Sequence, residues 1–170
     1  MFSSSALKIP KKLHQVVLRI HPEGRVVGIL FLHHQTKYSS QGEDPLEVMN
    51  QSEPFVVLRR EAPDELRFYN KSSIIHVEYD EEPVSEFADI SPLYCRLHLM
   101  DGSLIEGCIR LHLPPNHARL SDYLNVSDER FAKIHTDSGK LWLVNKSYIV
   151  YVTPLDGYNP PSIYQLGEDA

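Results

Sequence analysis

Leu66-Arg67-Phe68-Tyr69-Asn70-Lys71-Ser72-Ser73-Ile74-Ile75 and Leu141-Trp142-Leu143-Val144-Asn145-Lys146-Ser147-Tyr148-Ile149-Val150 are two versions of one pattern, about 75 residues apart. Each reads as a strand, then Asn-Lys-Ser, then a second strand. Asn and Ser suit the turn because their short polar side chains bond nearby backbone. The turn chemistry and both flanking periodicities recur together, which marks an internal repeat.

Upstream, the same order is kept in both copies. Val16 to Ile20 matches Cys95 to Leu99. Each is followed by a Gly-bearing turn, Pro22-Glu23-Gly24 in the first copy and Asp101-Gly102 in the second. Asp-Gly is a strong hairpin signal. Val26-Val27-Gly28-Ile29-Leu30 then matches Ile105-Glu106-Gly107-Cys108-Ile109, with Gly28 and Gly107 in phase. A Gly inside a strand predicts a bulge or sharp bend. Glu47 to Asn50 aligns with Asp122 to Asn125, a short helix or loop, and Phe55 to Leu58 with Phe131 to Ile134.

Each copy therefore reads strand, strand, short helix or loop, strand, strand, strand. Five short strands with tight turns predict a small barrel or closed roll. This order resembles the SH3-like and Sm-like small barrels, with Asn-Lys-Ser in the place of their short 3₁₀ turn. The stretch Ala118-Arg119-Leu120-Ser121-Asp122-Tyr123-Leu124-Asn125 also resembles a widespread, uncharacterised bacterial domain. The fold expected is all-β: two tandem five-stranded Sm/SH3-like small barrels, each with a short helix or loop insertion. The expected boundaries are a flexible N-terminus at 1–12, a first barrel at 13–80, an acidic Pro-containing linker at 81–92, a second barrel at 93–153 and a Pro-rich tail at 154–170. The resemblance implies association through edge strands, which invite pairing wherever they are left open.

Composition narrows the function. Hydrophobic residues are 42% and charged residues 24% of the chain, which suits a globular protein rather than a disordered one. The formal net charge of −6 disfavours a generic phosphate or anionic-lipid binder. No segment approaches the roughly 20 apolar residues of a membrane span, so no membrane insertion is expected. Residues 1–13 lack the apolar run of a signal peptide. Cys95 and Cys108, the only cysteines, are expected to be free thiols in a cytoplasmic protein, though neighbouring strands make a bridge conceivable.

Alternation along the strands separates inner from outer faces. Ile105, Gly107, Ile109 and Leu111 should face the core, and Glu106, Cys108, Arg110 and His112 should face outward. In the first copy Val26, Gly28, Leu30 and Leu32 take the core positions. Their opposite face carries Val27, Ile29 and Phe31, also apolar. A strand apolar on both faces is normally covered on both, so this surface should meet the sister domain, another subunit or the tail. If Leu141 and Leu143 point inward, Trp142 and Val144 point outward beside Tyr151, with Arg67, Tyr69 and His76 at the matching places. Trp, Tyr and Arg dominate interface hot spots. Val27, Ile29 and Phe31, with Trp142 and Tyr151, are the candidate protein interface.

Chemistry is sparser. Adjacent His33 and His34 point to opposite strand faces, and no Cys-x-x-Cys or His-Glu-x-x-His spacing gathers three or four ligands, so no metal is expected. Neither cysteine has a motif-placed His, and no nucleophile elbow or Gly-rich phosphate loop occurs. No catalytic residue and no cofactor is expected. RNA or single-stranded nucleic acid is the main alternative, through Arg59, Arg60, Lys71 and Lys146. A small-ligand sensor at the interdomain cleft is the other. The reading is a non-enzymatic protein–protein interaction or assembly scaffold that uses apolar faces and edge strands, with a protein partner or self-association.

Overall fold

The computed structural model describes residues 11–33, 43–81, 91–111 and 120–155. Residues 1–10, His34, most of the expected linker, His112, His117 and the tail beyond 155 lie outside the described residues. The first repeat consists of β1 (Lys11–Ile20), β2 (Gly24–His33), α1 (Pro45–Asn50), β3 (Phe55–Glu61), β4 (Asp64–Asn70), a 3₁₀ turn (Lys71–Ser73) and β5 (Ile74–Asp80). The second repeats that order: β6 (Ser91–Leu99), β7 (Leu104–Leu111), α2 (Leu120–Leu124), β8 (Phe131–His135), β9 (Lys140–Asn145), a 3₁₀ turn (Lys146–Tyr148) and β10 (Ile149–Pro154). β1 and β6 begin slightly earlier than the expected barrel boundaries.

The Asn-Lys-Ser motif has a local job in each repeat. The Asn70 carboxamide accepts a hydrogen bond from the Ser72 N–H at 2.9 Å, and Asn145 accepts from the Ser147 N–H at 3.0 Å. The lysine then reaches the end of its own repeat's helix. Lys71 Nζ donates to the Gln51 carbonyl at 3.0 Å, and Lys146 Nζ donates to the Val126 carbonyl at 3.0 Å. Carbonyls at a helix C-terminus lack intrahelical partners and attract cations. One tripeptide thus shapes the turn and ties the helix to it.

The glycines in phase serve a close approach rather than a bulge. The β1–β2 ladder runs without a register shift from Lys11↔His33 to Ile20↔Gly24. A Cβ at Gly28 would lie 2.8 Å from the Arg59 carbonyl oxygen, and one at Gly107 would lie 2.4 Å from the His135 carbonyl oxygen. Only a residue without a side chain lets the third strand of each repeat cross there.

All the strands join one antiparallel sheet in the order β10-β6-β7-β8-β9-β5-β1-β2-β3-β4. Each repeat contributes five adjacent strands in equivalent order. The all-β reading therefore holds, but the ladder does not close either expected barrel. β5 pairs with β9 of the other repeat, from His76↔Val144 to Asp80↔Lys140. The hydrogen-bonding edge that would close the first repeat on itself is used to join the two repeats.

Two apolar clusters fill the molecule. The first gathers Val16, Leu18, Ile20, Val26, Leu30, Leu32, Met49, Leu58, Val77 and others around β1 to β5. The second gathers Leu93, Cys95, Leu97, Leu99, Ile105, Ile109 and Ile134 around β6 to β10. The core positions expected on β2 are buried, with Val26 and Leu32 at 1% exposure and Leu30 at 0%. Cys108 departs from its expected outward placement and is buried. Cys95 sits opposite Gly107 and Cys108 opposite Tyr94, so the two thiols are one register step apart on opposite faces and both are free. Burial pushes the Cys95 thiol up to about 11. Among the described residues no helix is long and apolar enough to cross a membrane.

Candidate functional site

The junction between the repeats is built from both sides of the sheet. Leu141 and Leu143, on β9 of the second repeat, belong to the first repeat's core, at 4% and 0% exposure. Phe131, at the start of β8, joins them there. Ile75 of β5 enters the second core in return. Val144, expected to point outward, is fully buried in the second core, and Trp142 is half-buried against it. The reason is packing: one face of β9 lies on the first core, through Leu141 and Leu143, and the other on the second, through Val144 and Trp142. Tyr69, expected at the surface, is also buried, with its hydroxyl donating to Glu23 at 3.1 Å.

Side chains stitch the same seam. The Asn145 amide donates to the Ile74 carbonyl at 3.0 Å and to the Lys71 carbonyl at 3.3 Å. The Asn50 carboxamide accepts from the Phe131 N–H at 2.8 Å and donates to the Phe131 carbonyl at 3.3 Å. Glu81, just past β5, accepts from Arg110 and pairs with His135, each at 2.9 Å. Lys140 meets Asp80 at 3.2 Å.

Leu141, Leu143, Phe131 and Asn145 of this seam have first-repeat counterparts of similar chemistry, and those counterparts are bare, whereas the counterparts of Trp142 and Val144 are the ion-paired Arg67 and the buried Tyr69. Leu66 and Phe68 on β4 correspond to Leu141 and Leu143, and they are 55% and 66% exposed. Phe55 corresponds to Phe131 and is exposed. Asn70 corresponds to Asn145, keeps the turn-capping bond to Ser72 and is exposed. At the other end of the sheet, β10 is the counterpart of β5. Val150 and Tyr151 there replace the buried Ile75 and His76 and are exposed. Asn125, the counterpart of Asn50, donates only to Ser121 of its own helix.

β4 and β10 are the two outer strands of the sheet. β10 is partly blunted. The Leu155 N–H donates to the Tyr94 carbonyl on β6 at 3.0 Å. Neighbouring residues of a strand point their backbone groups to opposite sides. The Pro154 nitrogen, which has no hydrogen to give, therefore lies on the open side, while Val152 presents its N–H and C=O there.

The candidate residues named from sequence are not gathered in one place. Val27, Ile29 and Phe31 are half-buried on the outer face of β2, and Phe31 borders a shallow hollow with Val57, Phe55 and Lys71. Trp142 lies at the seam, its ring 4.5 Å from that of His76. Tyr151 is not beside it but stacks on His98 at 3.9 Å on the outer strand. The four basic candidates all have partners. Arg59 meets Asp64 at 2.9 Å, Arg60 meets Glu23, and the two lysines bond the helix ends. Lys71 is 1% exposed, and burial lowers its pKa. Among the described residues no group of three or more His, Cys, Asp or Glu is placed to hold a metal ion.

Leu66, Phe68, Phe55, Asn70 and Asn125 were not named as interface candidates from the sequence, where Asn70 was read only as part of the turn. The signal was present in the repeat alignment: apolar residues recur at positions 66 and 141 and at 68 and 143. No protein-family model, curated protein or solved structure matches this chain.

Proposed function

We propose that the protein is a non-enzymatic assembly module whose repeats act as small-barrel units and join head to tail. In this reading β10 of one copy pairs with β4 of the next, as β5 pairs with β9 inside each copy. The observation that supports it is the contrast between Leu141 and Leu143, buried in a neighbouring repeat, and their counterparts Leu66 and Phe68, left bare. Exposed apolar edge strands are templates for pairing, and natural proteins rarely leave them open without use. The interface is heterologous, so successive copies close into a ring or extend as a filament.

The register of the internal seam gives the external one. Tyr151 stands opposite Tyr69, and Val152 opposite Phe68. The Asn70 amide has the Lys146 and Ile149 carbonyls as its targets, and Asn125 faces the backbone of Phe55. Pro154 takes the place of Tyr79 and removes one backbone donor, so this contact is weaker than the internal seam.

Size-exclusion chromatography with light scattering on the full chain, at low and high salt, tests the proposal. The expected result is a species larger than the 19.5 kDa chain that persists at high salt. Phe68→Asp should return it to the monomer without lowering the melting temperature. A wild-type chain that stays monomeric at high concentration overturns the reading.

A further inference from the structure

On the outer face of the first repeat, Leu13 of β1 stands opposite Phe31 of β2, and Val57 of β3 stands opposite Phe68 of β4. Phe31 and Val57 line one hollow, so these side chains form an apolar row across four strands. Leu13 is 60% exposed, and Phe31 and Val57 are half-buried. Ile29 borders the row, opposite Arg59. A contiguous apolar patch of this kind marks a contact site. The contact between copies proposed above takes up Phe68 at one end and leaves the rest. In the second repeat the matching row is Pro92, Arg110, Lys133 and Leu143, with two charges where the first repeat has Phe and Val.

An acid lies over that charged row. Past the end of β5, the Glu81 N–H still donates to the Gly139 carbonyl at 3.0 Å. Its carboxylate meets Arg110 of β7 and His135 of β8, each at 2.9 Å. The chain leaving β5 therefore starts at the second repeat's outer row. By the repeat, Asp156 is the counterpart of Glu81, Arg59 of His135 and Phe31 of Arg110. When β10 of one copy pairs with β4 of the next, the chain leaving β10 starts beside Arg59 and Phe31 of that next copy. The acid is kept. Arg59 is exposed and meets Asp64, and a guanidinium has donors for a second carboxylate.

The residues that follow match the two rows in turn. After Glu81 come three acids, Glu82, Glu86 and Asp89, in the copy whose row is charged. After Asp156 comes Gly157-Tyr158-Asn159-Pro160-Pro161-Ser162-Ile163-Tyr164-Gln165-Leu166, with no charge and six apolar, aromatic or proline residues, in the copy whose edge meets the apolar row. Reach is ample. Eleven extended residues span about 35 Å, and the row covers three strand spacings, roughly 15 Å. Adjacent prolines hold a segment extended and lower the entropy lost on docking.

We propose that residues 156–166 of one copy dock along Leu13, Phe31 and Val57 of the next, as an arm that continues the β10–β4 contact. This rests on the assembly of copies proposed above. It gives one use to two features that the contact itself leaves over, the doubly apolar β2 and the Pro-rich tail.

A benzophenone amino acid in place of the exposed Leu13, in the full chain, tests the arm. Isotope-labelled and unlabelled copies are mixed, assembled and irradiated, and mass spectrometry of the digest separates links between copies from links within one. The expected result is a link from position 13 to residues 156–166 of another copy. Links only to residues 1–10 or 34–42, or only to the tail of the same copy, overturn the arm. Light scattering on the same sample reads assembly separately. An assembled sample without the link refutes the arm alone, and a monomeric sample refutes the assembly and the arm with it. A charge exchange gives a second test. Asp156→Arg should raise the dissociation constant of the assembly about threefold, and adding Arg59→Asp should restore it. A double variant as weak as the single one overturns the placement of Asp156.

Discussion

β9 and β4 are the same strand of the repeat in two settings. Both follow a hairpin turn, end in an Asn-capped 3₁₀ turn and carry apolar residues at matching positions. On β9 these residues sit in a neighbour's core; on β4 they face solvent. The strands differ less in their own sequence than in what lies beside them. An alternating strand has an inner and an outer face only when its sheet is covered on one side. β9 lies between two cores and has two inner faces, and Leu141-Trp142-Leu143-Val144 is apolar on both for that reason. β4 keeps Arg67 where β9 has Trp142, and Arg67 is held by Glu65 and Glu23. Its edge is apolar on one face only, as suits a contact that is made and lost.

The sharpest way to break this comparison is to truncate the buried member of the pair. Leu143→Ala should cost about 2–5 kcal/mol, the range for a fully buried leucine. The loss should appear in the first repeat, although the residue belongs to the second. Hydrogen exchange on β1 and β5 checks this; protection lost only in β6 to β10 would mean that the repeats fold apart.

Acid should loosen the seam next. Burial holds His76 down to about 4, against an ordinary value of 6.5, with Asp101 and Arg19 acting in opposite directions. The unfolded chain therefore takes up a proton that the folded chain refuses. Stability from this group is complete above about pH 6.5 and is lost as pH falls towards 4. Between about pH 7 and pH 5 the loss should be roughly 2 kcal/mol. Urea titrations across that range should show it, and His76→Phe should flatten the profile. A wild-type profile as flat as the variant's would place His76 outside the seam's energetics.

The smallest effect belongs to the bare edge. Phe68→Ala should change the stability of the monomer by no more than about 0.5 kcal/mol, as for an ordinary surface position. Measured at dilution, a loss as large as that of Leu143→Ala would show that β4 is already covered within the chain, and the proposed contact between copies would fall.

Much of the architecture was legible in local chemistry. The repeat, the order of strands, the hairpin turns and the buried face of β2 all follow from side-chain alternation and turn preference, which act over a few residues. The glycines in phase were also visible, though as bends rather than as crossings. Asn-Lys-Ser was read correctly as a turn. Its lysine was offered as a nucleic-acid contact because a helix end two strands away cannot be read from position 71. The candidate interface was placed on β2 by the rule that a doubly apolar strand is covered twice. The same rule applied to residues 141–144 would have found the seam.

The sequence by itself determined two copies of one five-stranded unit and the inner and outer sides of most of their strands. Only the tertiary structure decided which edges meet. Four outer strands, two from each repeat, carry similar backbone donors and acceptors, and hydrogen-bonding potential alone does not choose among them. The choice of β5 with β9 comes from side chains brought together across the fold: Leu141, Leu143 and Phe131 filling the first core, Ile75 filling the second, and Asn50 and Asn145 closing the backbone between them. Such contacts join residues some 70 to 80 positions apart, beyond the reach of any local pattern.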